Sequence, residues 1–395
     1  MKNKFLLLGM VASLIWSCER DDTSEIVIND NSVTTVNNTT GSTSDNAMNL
    51  NGLYSTDLTL DPAISYTITG PVLMASGTTL TIPAGMTVSA APIGVNAYIA
   101  IQQGAKIIAD GTATNPIVFT SNAASPSSGN WGGLIMLGKA PINSTPDNSE
   151  ETTTSEVGAL AYGGNIADDN SGTLRYVRIE YAGGAIDGNA ELNGLSAYAL
   201  GSATIIDYVQ VFEGSDDGFE FFGGTVNASH LVVVNAEDDS IDWTEGFTGT
   251  LTDIYIQQDS GKEHDSGFEC DGFNTDYAFV GASLSKPTVT NVTLSGDGDS
   301  GRAFRLRAGS QGIFSNIMVA TFNRGFVLED DDASLPTSQG VIDGDLTATD
   351  VFFNANVVTP YTGVAPEADF IKGSSANATG TAIASWGIGW TVGVN

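Results

Sequence analysis

Acidic residues recur at matching places through the middle of the chain. Asp216-Asp217 precede Gly218-Phe219-Glu220-Phe221, and Asp238-Asp239 precede Ser240-Ile241-Asp242-Trp243. His264-Asp265 precede Gly267-Phe268-Glu269-Cys270 after one serine. Carboxylates in such a pattern can hold a hard cation, since Ca2+ takes about 6–8 oxygens from Asp, Glu and turn carbonyls. Two of them across a groove can instead act as general acid and base. They can also be splayed, solvated side chains. The candidate metal or ligand set is Asp216, Asp217, Glu220, Asp238, Asp239, Asp242, Asp265 and Glu269. Ca2+ is the one cofactor it implies.

The elements that would position these acids are three copies of one unit. Tyr208-Val209-Gln210-Val211, His230-Leu231-Val232-Val233 and Asp253-Ile254-Tyr255-Ile256 each read as a short strand leading into an acidic turn and a second strand. Their starts at 208, 230 and 253 give repeats of 22 and 23 residues. Two strands per repeat of that length, rich in Gly, Asn and Asp, is a β-solenoid period. Side chains two apart share one face of a strand. Val209/Val211, Leu231/Val233 and Ile254/Ile256 therefore point into the coil, as do Phe219/Phe221, Ile241/Trp243 and Phe268/Cys270. Glu220, Asp242 and Glu269 must then face outward, one above another at the ~4.8 Å rung spacing. The Asp216-Asp217 and Asp238-Asp239 pairs form a second ladder beside them.

Such a ladder costs energy. Two charges ~4.8 Å apart repel by about 3.5 kcal/mol at an effective dielectric of ~20. Protonation, a bound cation or the nearby Arg302, Arg305 and Arg307 can relieve it. A generic solvated face would scatter its acids, whereas these repeat from rung to rung.

Of 395 residues, 46 are acidic and 14 are Lys or Arg, for a net charge of −32. That balance argues against nucleic acid and against docking on anionic lipid, and favours metal cations or a cationic or neutral partner. The 46 glycines suit a turn-rich all-β chain.

Residues 1–17 read as a secretory signal, with Lys2 and Lys4 before an apolar run from Phe5 to Trp16. The run ends Leu14-Ile15-Trp16-Ser17-Cys18, which resembles a bacterial lipobox, although Trp16 is an unusual occupant. The resemblance implies a lipid on Cys18. Glu19-Arg20-Asp21-Asp22 resembles the surface-export signal of Bacteroidota lipoproteins, which implies an outer-membrane lipoprotein facing outward. Residues 18–50, rich in Asn, Thr, Ser and Asp, read as a flexible tether. The other cysteine, Cys270, falls in an inward phase and reads as a small buried hydrophobe. His230 reads as a structural polar residue starting a strand, and Trp243 as core.

The folded part spans 51–395. Leu80-Thr-Ile-Pro-Ala-Gly85-Met-Thr-Val88 and Gly104-Ala-Lys-Ile-Ile-Ala-Asp-Gly111-Thr-Ala-Thr-Asn-Pro116-Ile-Val-Phe-Thr120 resemble the first rungs of pectate-lyase-like proteins. The implied fold is all-β: a single-stranded right-handed parallel β-helix, or β-solenoid. An insertion at about 139–170 and loops at about 183–192 and 272–286 interrupt it, and 335–395 are expected to close its C-terminal end. Asn130-Trp131-Gly132-Gly133-Leu134-Ile135-Met136-Leu137 and the run Asp216 to Phe247 are more similar still to an uncharacterised family of bacterial β-helix outer-membrane lipoproteins. A transporter label often attached to that family implies nothing here, because nothing in the folded part reads as a membrane span.

Resemblance to polygalacturonase-like glycosidases implies an alternative. Their sites use Asp on successive rungs, then His, then a basic pair. Asp217, Asp238, Asp239, His264 and Arg305 come in that order here, with Arg307 completing the pair. The match departs from the pattern in three places. Asn-Thr is missing before Asp217, glycines do not flank His264, and Arg-Leu-Arg stands for Arg-Ile-Lys. The leading expectation is non-catalytic binding of a cation, a glycan or another extracellular ligand at the acidic face. A polysaccharide hydrolase or lyase is the alternative. A structural, adhesive or outer-membrane receptor accessory role is the third.

Overall fold

The computed structural model describes residues 46–186, 191–275, 278–281, 283–298, 301–331 and 334–395. Cys18, the signal and most of the tether lie outside these residues. Strand Ala47–Tyr54 already occupies the segment read as the tether's end. Twenty-four strands form one continuous sheet in which every strand-to-strand register is parallel. The chain winds into stacked coils, so each strand pairs with its equivalents one coil away.

Each coil has three sides, where the sequence suggested two. Strands such as Ile205–Phe212, Asn227–Val234 and Thr250–Gln257 begin three residues before the expected starts. Tyr208, His230 and Asp253 are corners inside them, with φ of 57°, 53° and 58°. The same corner recurs at Tyr176, Asn291, Asn316 and Asp350. A left-handed residue turns the strand and drops out of the register, so Asp207 pairs with Ser229 and Val209 with Leu231 while Tyr208 and His230 are skipped. Alternation alone does not show a corner in the middle of a strand.

The inward phases are as expected. Val209, Val211, Phe219, Phe221, Ile241, Trp243, Phe268 and Cys270 are all fully buried. Phenylalanines stack from coil to coil, with ring centres 4.7 Å apart for Phe268–Phe304 and 4.2 Å for Phe304–Phe326. The fold is held by such ladders of like side chains.

The 139–170 insertion folds over the outside of the third side. It contains a two-stranded antiparallel pair, Thr153–Thr154 with Ala161–Tyr162. Ile142, Val157 and Tyr162 pack there on outward residues of the coil, including Ile135, Leu137, Tyr198 and Phe222.

The last residues do more than close the end. Helices Thr337–Asp343 and Glu367–Phe370 cover the C-terminal coil, with Val341 and Phe370 buried. Residues 371–395 then run back along the outside of the coil, past the corners at Asp350, Asn316 and His230. The expected C-terminal closure is thus a cap followed by a strap.

Candidate acidic site

The third side of the coil carries the acids. Strands Leu195–Tyr198, Phe219–Phe222, Ile241–Thr244, Ser266–Asp271 and Arg302–Arg307 lie side by side. Their register aligns Ser196, Glu220, Asp242, Glu269 and Arg305 in one outward column. The expected carboxylate ladder is real, but it is not a plain solvated face. Glu269 is 7% exposed, and the insertion and flanking loops crowd the column.

The turn aspartates build the second column and have a structural task. Asp217 Oδ1 accepts from the Asp239 N–H at 3.0 Å, and Asp239 Oδ1 accepts from the Ser266 N–H at 2.7 Å. Each side chain thus satisfies a buried donor of the next coil. Both residues are about 95% buried, being 5% and 4% exposed. Their second oxygens remain for other partners.

The ladder divides electrostatically into two ends. At one end arginines neutralise it. Glu269 takes Arg305 at 2.6 Å and also Arg307, Asp271 takes Arg307 at 2.6 Å, and Asp265 takes Arg302 at 2.5 Å. Arg305 also reaches Glu329 at 3.2 Å. At the other end, no Lys or Arg among the described residues forms an ion pair with Asp216, Asp217, Glu220, Asp238, Asp239 or Asp242. Asn193 Nδ2 donates to Glu220 at 2.6 Å. Asp242 Oδ1 is buried without a hydrogen bond.

Burial raises the carboxyl groups of this end above their ordinary range. Asp216 is pushed up to about 7 by burial, then by the charges of Asp238 and Glu191. Asp217, Glu220, Asp239 and Asp242 are raised by burial first. Their next contributions come from Asp216, Glu156, Glu269 and Glu220 respectively. Asp238 is raised by burial and then by Asp265. Neither Asp271 nor Glu245 escapes: they rise to about 6 and about 7 despite the hydrogen bonds of Arg307 and Tyr162.

Three groups place carboxylate oxygens within 4.8 Å of one another: Asp216/Asp217/Asp238, Asp217/Glu220/Asp242 and Asp238/Asp239/Asp265. An all-oxygen, partly dehydrated set of that density has the donor chemistry of a Ca2+ site. The first two groups share Asp217. The third is compromised by Arg302, which already holds Asp265.

The glycosidase-like constellation is less coherent. Asp217, Asp238 and Asp239 do come together. His264 is buried and faces Asp297 at 3.4 Å, and Arg305 is held between Glu269 and Glu329. His230 is a corner residue stacked on Tyr208 and bonded to Asp207 at 2.8 Å, a structural role.

Several neighbours went unrecognised in the sequence. Asn193 occupies the turn position of Asp217 one coil earlier, as the Gly194 N–H bond to the Asp217 carbonyl shows. The repeated Asn193-Gly194 and Asp217-Gly218 dipeptides were the available signal. Glu156 comes from the insertion and Glu191 from a loop, where nothing repeats.

Parallel strands wound into stacked coils make this a right-handed parallel β-helix. The chain belongs to the family described as the pectate-lyase-like β-helix domain, whose model matches residues 52–391. It is to that extent a carbohydrate-related β-helix protein, in a superfamily that includes hydrolases and lyases. Neither a curated protein nor a solved structure matches the chain.

Proposed function

We propose that this is a lipid-anchored, cell-surface β-helix protein that binds a divalent cation such as Ca2+ at Asp216, Asp217, Glu220, Asp238 and Asp242, without catalysis. One observation carries the reading: the same column is neutralised by arginine at one end and, among the described residues, has no Lys or Arg partner at the other. Asp217 is buried, Asp216, Glu220 and Asp242 are half-buried and Asp238 is exposed; crowded, partly dehydrated carboxylates without compensation are expensive, and a cation is the partner that oxygen donors on successive coils suit. The bound ion would offset part of the acidic charge and offer a coordination position to an oxygen of a glycan or an outer-membrane receptor. Calorimetric titration of the full chain with CaCl2 tests this. Saturable binding is expected, and Glu220→Gln should weaken it. Absence of heat and of any Ca2+-dependent change in melting temperature would refute the proposal.

A second reading, hydrolase or lyase, is favoured by Asp216. A carboxyl group raised to about 7 beside other carboxylates suits general acid–base work near neutrality. Release of unsaturated or reducing ends from polysaccharides by the wild type but not by Asp216→Asn would establish it.

A further inference from the structure

The outer face of the corner column reads peptide main chain. Gln210 makes a two-point pair with Val392, donating to its carbonyl at 2.7 Å and accepting from its N–H at 2.9 Å. Gln257 donates to the Gly393 carbonyl at 2.9 Å and accepts from the Asn395 N–H at 3.0 Å. Arg178 donates to the Trp390 carbonyl at 3.1 Å. Between these polar clamps the Trp390 ring is fully buried against Val232, Val234 and Tyr255. Trp386 and Trp390 meet the stacked rings of Tyr176, Tyr208 and His230 edge-on. Ile383 and Val394 pack at the edge of the same cluster, whereas Ile388 is 76% exposed.

That division of labour is the one used to capture extended peptides: main-chain hydrogen bonds supply affinity and a pocket for one large side chain supplies specificity. We propose that this face is a peptide-recognition groove, filled by the chain's own residues 382–395 and open to the same segment of a second copy. The partner it fits is a glycine-rich C-terminal peptide with two indoles four residues apart. In the wild type the tethered segment acts at about millimolar effective concentration and excludes a dilute competitor. Occupation by a second copy therefore needs the resident strap to be loosened, and reciprocal exchange would give a dimer.

The test uses full-length protein and a fluorescent peptide of residues 382–395. Trp390→Ala weakens the resident strap and leaves the groove intact. Saturable peptide binding is expected for this variant and not for the wild type. Affinity should fall by roughly tenfold or more when the peptide's own tryptophan is replaced, or when Gln210→Ala is added. Should Trp390→Ala fail to fold, Trp386→Ala serves, because that ring is only partly buried. The proposal is overturned if a folded variant ignores the peptide or binds it equally without tryptophan. It is overturned too if both variants unfold, since the strap would then be part of the core and not an exchangeable occupant.

Discussion

Replacing Asp242 by Asn should change stability in opposite directions with and without Ca2+. The oxygens of Asp217, Glu220 and Asp242 lie within 4.8 Å of one another, so each ionised pair repels by about 3.5 kcal/mol at an effective dielectric of ~20. Asp242 faces two such neighbours, about 7 kcal/mol in all if both are ionised. Taking up a proton at pH 7 costs a carboxyl of ordinary pKa 3.8 only about 4 kcal/mol. Protonation is the cheaper outcome, so the ion-free site holds protons at neutral pH. Asp242→Asn removes that cost and should stabilise the chelated protein by up to about 4 kcal/mol, at about 2 °C or less per kcal/mol in a domain of this size. Added Ca2+ should reverse the order. At about 100 times its dissociation constant it stabilises the wild type by about 2.7 kcal/mol, and the variant should lose most of that gain. Mg2+ should do less, because it demands tighter octahedral geometry. The assay is thermal unfolding at pH 7 in chelator and in CaCl2. A wild-type midpoint indifferent to Ca2+, or an Asp242→Asn chain less stable than wild type in chelator, would refute the reasoning.

Three further outcomes are expected. Arg307→Ala strands the buried Asp271 and leaves Glu269 with Arg305 alone, and should cost about 3–5 kcal/mol in denaturant unfolding, whereas a loss below about 1 kcal/mol would show that the pairing contributes little. Glu245 binds protons more tightly folded than unfolded, so its contribution to stability is full below its ordinary 4.5 and is lost as pH rises toward about 7; Glu245→Gln should flatten that part of the stability profile, and an unchanged slope would contradict it. If the proposed lipid sits on Cys18, Cys18→Ala should release the protein from the membrane fraction and abolish lipid labelling; unchanged partition would overturn the lipoprotein reading.

The alternation of Val209/Val211 or Phe219/Phe221, repeated every 22 or 23 residues, determined the coil and its inward phase. A strand has period two, so one buried face dictates the other, and Glu220, Asp242 and Glu269 had to align outward. The repeat alone placed the Asp216-Asp217 and Asp238-Asp239 turns in register. Other features came from contacts between segments far apart in sequence. The corner at Tyr208 and His230 is a single left-handed residue that leaves the alternation on either side intact, so the third side of the coil was hidden. The burial of the ladder depends on the insertion and loops, whose Glu156 and Glu191 follow no period. Which acids are neutralised was also undecided, because Arg302, Arg305 and Arg307 lie on one coil and reach only its neighbours. Local periodicity is written in each repeat. The electrostatic environment of a carboxylate is set by whatever the fold brings within a few ångströms of it, and that only the tertiary structure decided.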